Sequence, residues 1–112
     1  TLVMQAASHV PQRLTAGTGK IGIRIPFHPV ARSIVEQIDF PITGTSANLS
    51  GRPGCKRIND LDPSIIKNAD LLMDAGTVAG GTGSTIVDVT GAGPMILREG
   101  KVTESQIGQA LG

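Results

Sequence analysis

Gly17-Thr18-Gly19-Lys20-Ile21-Gly22-Ile23-Arg24-Ile25-Pro26 admits two readings, and the choice between them decides the fold. Its first six residues match the G-x-G-x-x-G dinucleotide fingerprint letter for letter. That fingerprint works only where it follows a strand and opens a helix, because the helix N-terminus then faces the pyrophosphate. Here Ile21, Ile23 and Ile25 alternate with Gly22 and Arg24, so the segment is itself a strand, and Pro26 stops it. The glycines belong to the turn before that strand, the isoleucines to its core face, and Arg24 to the opposite face. Gly19-Lys20 fails equally as a P-loop, since Leu14 stands where the leading Gly belongs and Ile21 where the magnesium-holding Ser or Thr belongs.

Working outward, residues 1–6 read as a strand, and a polar connection runs from Pro11 through Gly17 and Gly19. After Pro26, His28-Pro29 opens a helix with Pro29 in its first turn, and helix capping is role enough for His28. Val30, Ala31, Ile34, Val35 and Ile38 then form one apolar stripe suited to packing on a sheet. Residues 41–45 read as a short strand entering a stretch of turn formers. Asp62 caps a helix with Pro63 in its first turn that runs to about Ala69. Leu71-Leu72-Met73 reads as a buried strand, Ser84 to Val89 and Met95 to Arg98 as two more, and Thr103-Glu104-Ser105-Gln106 as the capping box of a closing helix. Strands alternate with helices, so the expected class is α/β (α+β), a mixed open sheet with flanking helices.

The chain has 112 residues and a formal net charge of +1, which fits one domain with a thin core. Two Phe, no Tyr and no Trp leave no platform for stacking bases and no membrane-interface belt. No apolar stretch approaches the ~20 residues of a membrane span, and no signal peptide opens the sequence, so a cytoplasmic protein with no membrane partner is expected. Cys55 is the only cysteine and, with two separated histidines, offers no metal cluster, so no metal ligands are assigned. The sequence starts at Thr1 in strand-like residues without an initiator methionine, and it reads as a piece of a longer protein.

Three stretches carry chemistry. Gly80-Gly81-Thr82-Gly83-Ser84-Thr85 can bring backbone N–H groups and hydroxyls to an anion, or serve simply as a turn before a strand. Thr45-Ser46-Ala47-Asn48 sets two hydroxyls and an amide together at the end of its strand, where ligands sit in open α/β sheets; an Asx turn is the plainer reading. Arg24 and Arg98 sit on or beside strands, where a guanidinium can make a two-point contact with a carboxylate or phosphate, or a surface salt bridge.

Taken in order and spacing, Gly22-Ile23-Arg24-Ile25-Pro26 with His28-Pro29, Thr45-Ser46-Ala47-Asn48-Leu49-Ser50-Gly51, Gly83-Ser84-Thr85-Ile86-Val87-Asp88 and Ile96-Leu97-Arg98-Glu99-Gly100 resemble the YrdC-like family. The resemblance implies threonylcarbamoyl-AMP synthase activity: L-threonine, bicarbonate and ATP, with Mg2+, give threonylcarbamoyl-AMP and pyrophosphate. It implies service to tRNA modification, with tRNA or tRNA-modification proteins as downstream partners, and a twisted sheet curved around a basic cavity. Ser46 and Asn48 match the family's ATP ligands. Arg24 matches its contact to the threonine or acyl phosphate, the one catalytic assignment, while Ser84 and Arg98 match its nucleotide end. Thr1 matches a cavity-lining threonine of a Gly-Pro-x-Thr segment. The family's N-terminal Thr-Val-Tyr-Gly-Leu-like segment and Lys-x-Arg motif are absent, so residues 1–112 are expected to be about the second half of the catalytic domain and inactive alone. Two other functions fit parts of the pattern: the carbamoyl-adenylate-forming domain of hydrogenase-maturation carbamoyltransferases, and a non-catalytic module binding double-stranded RNA by shape. Ten Lys and Arg scattered among nine acids argue against strong RNA binding.

Overall fold

In the computed structural model, which describes residues 1–79 and 83–112, Gly17 and Gly19 take φ of 74° and 70° and turn the chain directly into a strand. That is the geometry of the turn reading, since a dinucleotide fingerprint would run into a helix. The strand is β2 (Lys20–Ile23), and it pairs antiparallel with β1 (Leu2–Gln5). The connection between them holds one element that the composition hid, the single-turn helix α1 (Gln12–Thr15), closed by Ala16 at φ 49°.

Two further strands complete a mixed four-stranded sheet of order β2-β1-β3-β4: β3 (Ile86–Asp88) runs parallel to β1, and β4 (Met95–Arg98) antiparallel to β3. The closing helix α4 (Glu104–Leu111) has the capping box its sequence announces. The Thr103 side chain accepts from Gln106 N, and the Gln106 side chain accepts from Thr103 N at 2.9 Å. These elements make up one compact unit, Thr1–Ile25 with Gly81–Gly112; Pro26–Gly80 make up a second.

The second unit holds α2 (Pro29–Gln37) and α3 (Pro63–Asn68), with a turn of 3-10 helix at Ile58–Asp60 between them. Asp62 caps α3 as expected, accepting from Ser64 N at 2.9 Å. His28 stands at the N-cap of α2 but its imidazole makes no capping bond; only its carbonyl is used, by Arg32 N. The strands expected at 41–45 and 71–73 do not form. A strand needs a neighbour to complete its ladder, and among the described residues of this unit there is none. Leu71 and Met73 stay 76% and 57% exposed.

Side-chain alternation divides the sheet. One face carries Leu2, Met4, Ile21, Ile23 and Val87, the apolar face expected of the isoleucines. It is covered only in part: among the described residues Val87 is the one buried apolar side chain, whereas Ile23 is 50% and Ile25 80% exposed. The expected burial of Ile23 and Ile25 is therefore not met, because no described element of their own unit covers them. No described helix is long and apolar enough to cross a membrane.

The opposite face carries Val3 and Ile86 and, around them, the sheet's charged side chains. There Lys20 Nζ meets Asp88 Oδ2 at 2.8 Å, reaching from β2 to β3 across β1, and the Thr90 hydroxyl and backbone N–H donate to Asp88 Oδ1 at 2.6 and 2.8 Å. Lys20, with the two Thr90 bonds, holds the Asp88 carboxyl down at about 2. A depressed carboxylate contributes its full stability above the unfolded value of about 3.9. That contribution is lost as pH falls through about 2. Denaturant melts of the wild type are thus expected to lose stability between about pH 4 and pH 2, and Asp88→Asn to flatten that limb. An unchanged acid limb in the variant would show that the pair does not hold the sheet.

Candidate functional site

The strand register brings three of the sequence-selected residues to one end of the sheet, where the carbonyl of a fourth, Ser84, accepts from Arg98. Leu2 faces Ile23 on one side and Val87 on the other, so one step back Thr1 faces both Arg24 and Ile86, and Ile86 in turn faces Arg98. A period of two puts Arg24 and Thr1 on one face, and a register irregularity between Ile86 and Val87 brings Arg98 opposite Ile86 in the same row. The row is tied together. Arg24 Nε donates to Thr1 Oγ1 at 2.8 Å, Thr1 N donates to the Thr85 carbonyl at 3.0 Å, and Arg98 gives Nε and Nη2 to the Ser84 carbonyl at 3.2 and 2.7 Å.

Arg24 thus spends its inner nitrogen on a hydroxyl and is aimed by it, whereas Arg98 spends Nε and the outer Nη2 on one backbone carbonyl, so its Nη1 is the outer nitrogen without such a bond among the described residues. Two oriented guanidiniums with the Thr1 hydroxyl beside Arg24 suit an anion with several oxygens, a carboxylate or a phosphate.

Behind the row, Thr85 is 6% exposed, and its hydroxyl donates to Val102 O while accepting from Gly100 N and Val102 N at 3.0 and 3.2 Å. It pins the turn after β4 that delivers Arg98. Thr85, read from the sequence as a strand residue or an anion-binding hydroxyl, is instead a buried structural hydroxyl, and the pairing of Lys20 with Asp88 was not foreseen. Sixty-eight residues separate those two, so no local spacing announces them. Of the glycine-rich stretch at 80–85, residues 80–82 lie outside the described part. Gly83 to Thr85 lead into β3, and an added Cβ at Gly83 would sit 3.0 Å from Arg98 Nη2.

Ser46 and Asn48 belong to the second unit, on an exposed irregular segment that follows no strand. The Asn48 amide nitrogen donates to Leu49 O at 2.9 Å and Arg52 O at 2.8 Å, closing the turn 48–52. This is not an Asx turn, in which Oδ1 would accept a backbone N–H: the nitrogen closes the turn by donating, and Oδ1 is the atom left for a ligand. Asn48 also lines an open concavity of about 790 Å³. Asn48→Ala is expected to weaken ATP binding by about 1–3 kcal/mol, measured by calorimetry on the full protein. Asn48→Asp loses both donor bonds but keeps Oδ1; equal losses in the two would mean that the turn matters and the oxygen does not.

Among the described residues no three His, Cys, Asp or Glu side chains come together. Asp88, a carboxylate on the face that carries the charged side chains, is already engaged by Lys20 and Thr90. These residues do not fit a magnesium site of their own.

A protein-family model described as "Telomere recombination", that of Sua5, YciO and YrdC, matches residues 1–100. The threonylcarbamoyl-AMP synthase of Pyrococcus abyssi is 30% identical over 112 residues, covering 100% of this chain and 33% of that protein. The threonylcarbamoyl-AMP synthase of Bacillus subtilis is 32% identical over 100 residues, covering 89% of this chain and 29% of that protein. A solved structure of a doubly alanine-substituted Sua5 from Pyrococcus abyssi superposes with a TM-score of 0.89 at 29% identity, over 99% of this chain and 34% of that one. The chain thus spans about a third of the length of these relatives.

Proposed function

Since this chain belongs to the Sua5/YciO/YrdC family, we propose that it supplies part of the catalytic domain of a threonylcarbamoyl-AMP synthase. The observation that carries the proposal is the group Arg24, Thr1 and Arg98 at one sheet end, with Arg24 held by the Thr1 hydroxyl and Arg98 by the Ser84 carbonyl. In this reading the threonine amine adds to the carbon derived from bicarbonate, with loss of water, to give a carbamate. A carbamate oxygen then attacks the α-phosphorus of ATP, and the bond to pyrophosphate breaks. No side chain need act as a nucleophile. The chain's task is to position anions and to stabilise charge as it moves on to the leaving group. Arg24 holds the threonine carboxylate or the acyl phosphate, Arg98 and Ser84 the nucleotide end, and Ser46 and Asn48 the ATP; the product serves tRNA modification.

The full protein is expected to release pyrophosphate from ATP only when both L-threonine and bicarbonate are present. Release with carbamoyl phosphate in place of threonine would favour the carbamoyl-adenylate reaction, and no release with either would sink the synthase reading. The same assay on residues 1–112 alone is expected to give nothing.

A further inference from the structure

Gly22 is a glycine for which the described residues of its own unit give no structural reason. It lies inside β2, where glycine weakens a strand through its backbone freedom and has no side chain to pack. A positive φ, a bulge or the close approach of other atoms commonly keeps a glycine in a strand. The first two do not apply: Gly22 is not among the glycines of positive φ, and the β1–β2 ladder runs unbroken from Leu2↔Ile23 to Gln5↔Lys20. As for the third, among the described residues an added Cβ would come within 4 Å only of Thr1 Cγ2, at an ordinary 3.6 Å. Alanine would fit, yet the space stands open.

What borders that space points to its use. Val3 stands directly opposite Gly22 in the ladder and shares its face, and the period of two brings Arg24 to the same face. Thr1 joins them: its Oγ1 accepts from Arg24 Nε at 2.8 Å, while its Cγ2 is the methyl beside Gly22. The guanidinium is therefore held one side chain away from a floor of bare backbone with two apolar walls, the Val3 side chain and the Thr1 methyl. Such walls suit the aliphatic part of a ligand, and the neighbouring guanidinium suits its carboxylate.

We propose that Gly22 is a specificity-determining residue, leaving room for the aliphatic side chain of the amino acid whose carboxylate Arg24 holds. The proposal rests on the synthase reading for that amino acid being threonine, and it adds that the threonine methyl comes down on β2 between Val3 and Thr1. A side chain at position 22 then excludes the methyl while the carboxylate contact stays in place, so serine, which lacks that methyl, is excluded less. One carbon more or less in an apolar pocket changes kcat/KM by roughly 10–200-fold.

Pyrophosphate release by the full protein, with threonine or serine varied at saturating ATP and bicarbonate, tests it. Gly22→Val is expected to lower kcat/KM for threonine by about tenfold or more and Gly22→Ala by less, with serine affected much less than threonine. The KM for ATP stays at its wild-type value, and the melting temperature holds or rises, since both residues replace a strand glycine. Wild-type kcat/KM for threonine in Gly22→Val, or equal losses with threonine and serine, would overturn the proposal. A raised KM for ATP with threonine unaffected would end it by giving the floor to the nucleotide, and a lowered melting temperature in both variants by showing that protein fills the space. A wild type that releases no pyrophosphate with threonine would sink the synthase reading and this proposal with it, whereas an active wild type with an unresponsive Gly22→Val sinks this proposal alone.

Discussion

Arg24→Ala is expected to lower kcat/KM for threonine by about 10²-fold, and Arg24→Lys by about tenfold, measured on the full protein at saturating ATP. Arg24 leaves the end of β2 opposite Thr1, and its Nε is fixed to Thr1 Oγ1 at 2.8 Å. With Nε committed, the outer nitrogens present a planar fork whose direction is set before the substrate arrives. Lysine keeps the charge but has no Nε to be held and no fork to present, so an apparently conservative change should cost turnover. Thr1→Val should repeat part of the Lys effect, because it removes the hydroxyl that aims the fork. Were Arg24 only a surface salt-bridge former, its loss would move stability by no more than about 1 kcal/mol and leave catalysis alone. Wild-type kcat/KM in both Arg24 variants would end the assignment.

Gly100→Ala is expected to destabilise the protein by about 3 kcal/mol, at the upper end for an overpacked site. A Cβ built at Gly100 would stand 2.5 Å from Ser84 C and from Thr85 N, and would also collide with the Gly83 carbonyl oxygen. All three atoms are backbone and cannot rotate aside as a side-chain tip would. The contact is fixed from both sides, since Gly100 N donates to Thr85 Oγ1 and Lys101 N to Gly83 O, each at 3.0 Å. The segment that must yield carries Ser84, so activity should fall together with stability. Gly108→Ala is the contrasting control: nothing lies within 4 Å of its added Cβ, and in the interior of α4 the change should stabilise by about 0.5–1 kcal/mol. Equal melts of Gly100→Ala and wild type would mean that the two turns do not touch as described.

What could be read in the sequence was local. Pro26 after alternating isoleucines separates strand from fingerprint because proline ends a ladder whatever surrounds it. Asp62 before Pro63 and the Thr103 to Gln106 box announce helix starts for a similar reason, since their hydrogen bonds close within three residues. The expected strands at 41–45 and 71–73 failed because an apolar run says only that a segment could pair, and pairing needs a neighbour.

The sequence alone therefore determined the order of the main elements, the turn at Gly17 to Gly19, the caps, and a set of side chains suited to holding anions. It could not determine which of those side chains meet. Tertiary structure decided that, because strand register, fixed by ladder hydrogen bonds between segments up to 84 residues apart, sets which ends coincide. Register put Arg24 opposite Thr1, an irregularity between Ile86 and Val87 brought Arg98 opposite Ile86, and the same sheet paired Lys20 with Asp88 across β1 and pressed Gly100 against Gly83; a shift of one residue between β1 and β2 would have sent Arg24 to the apolar face.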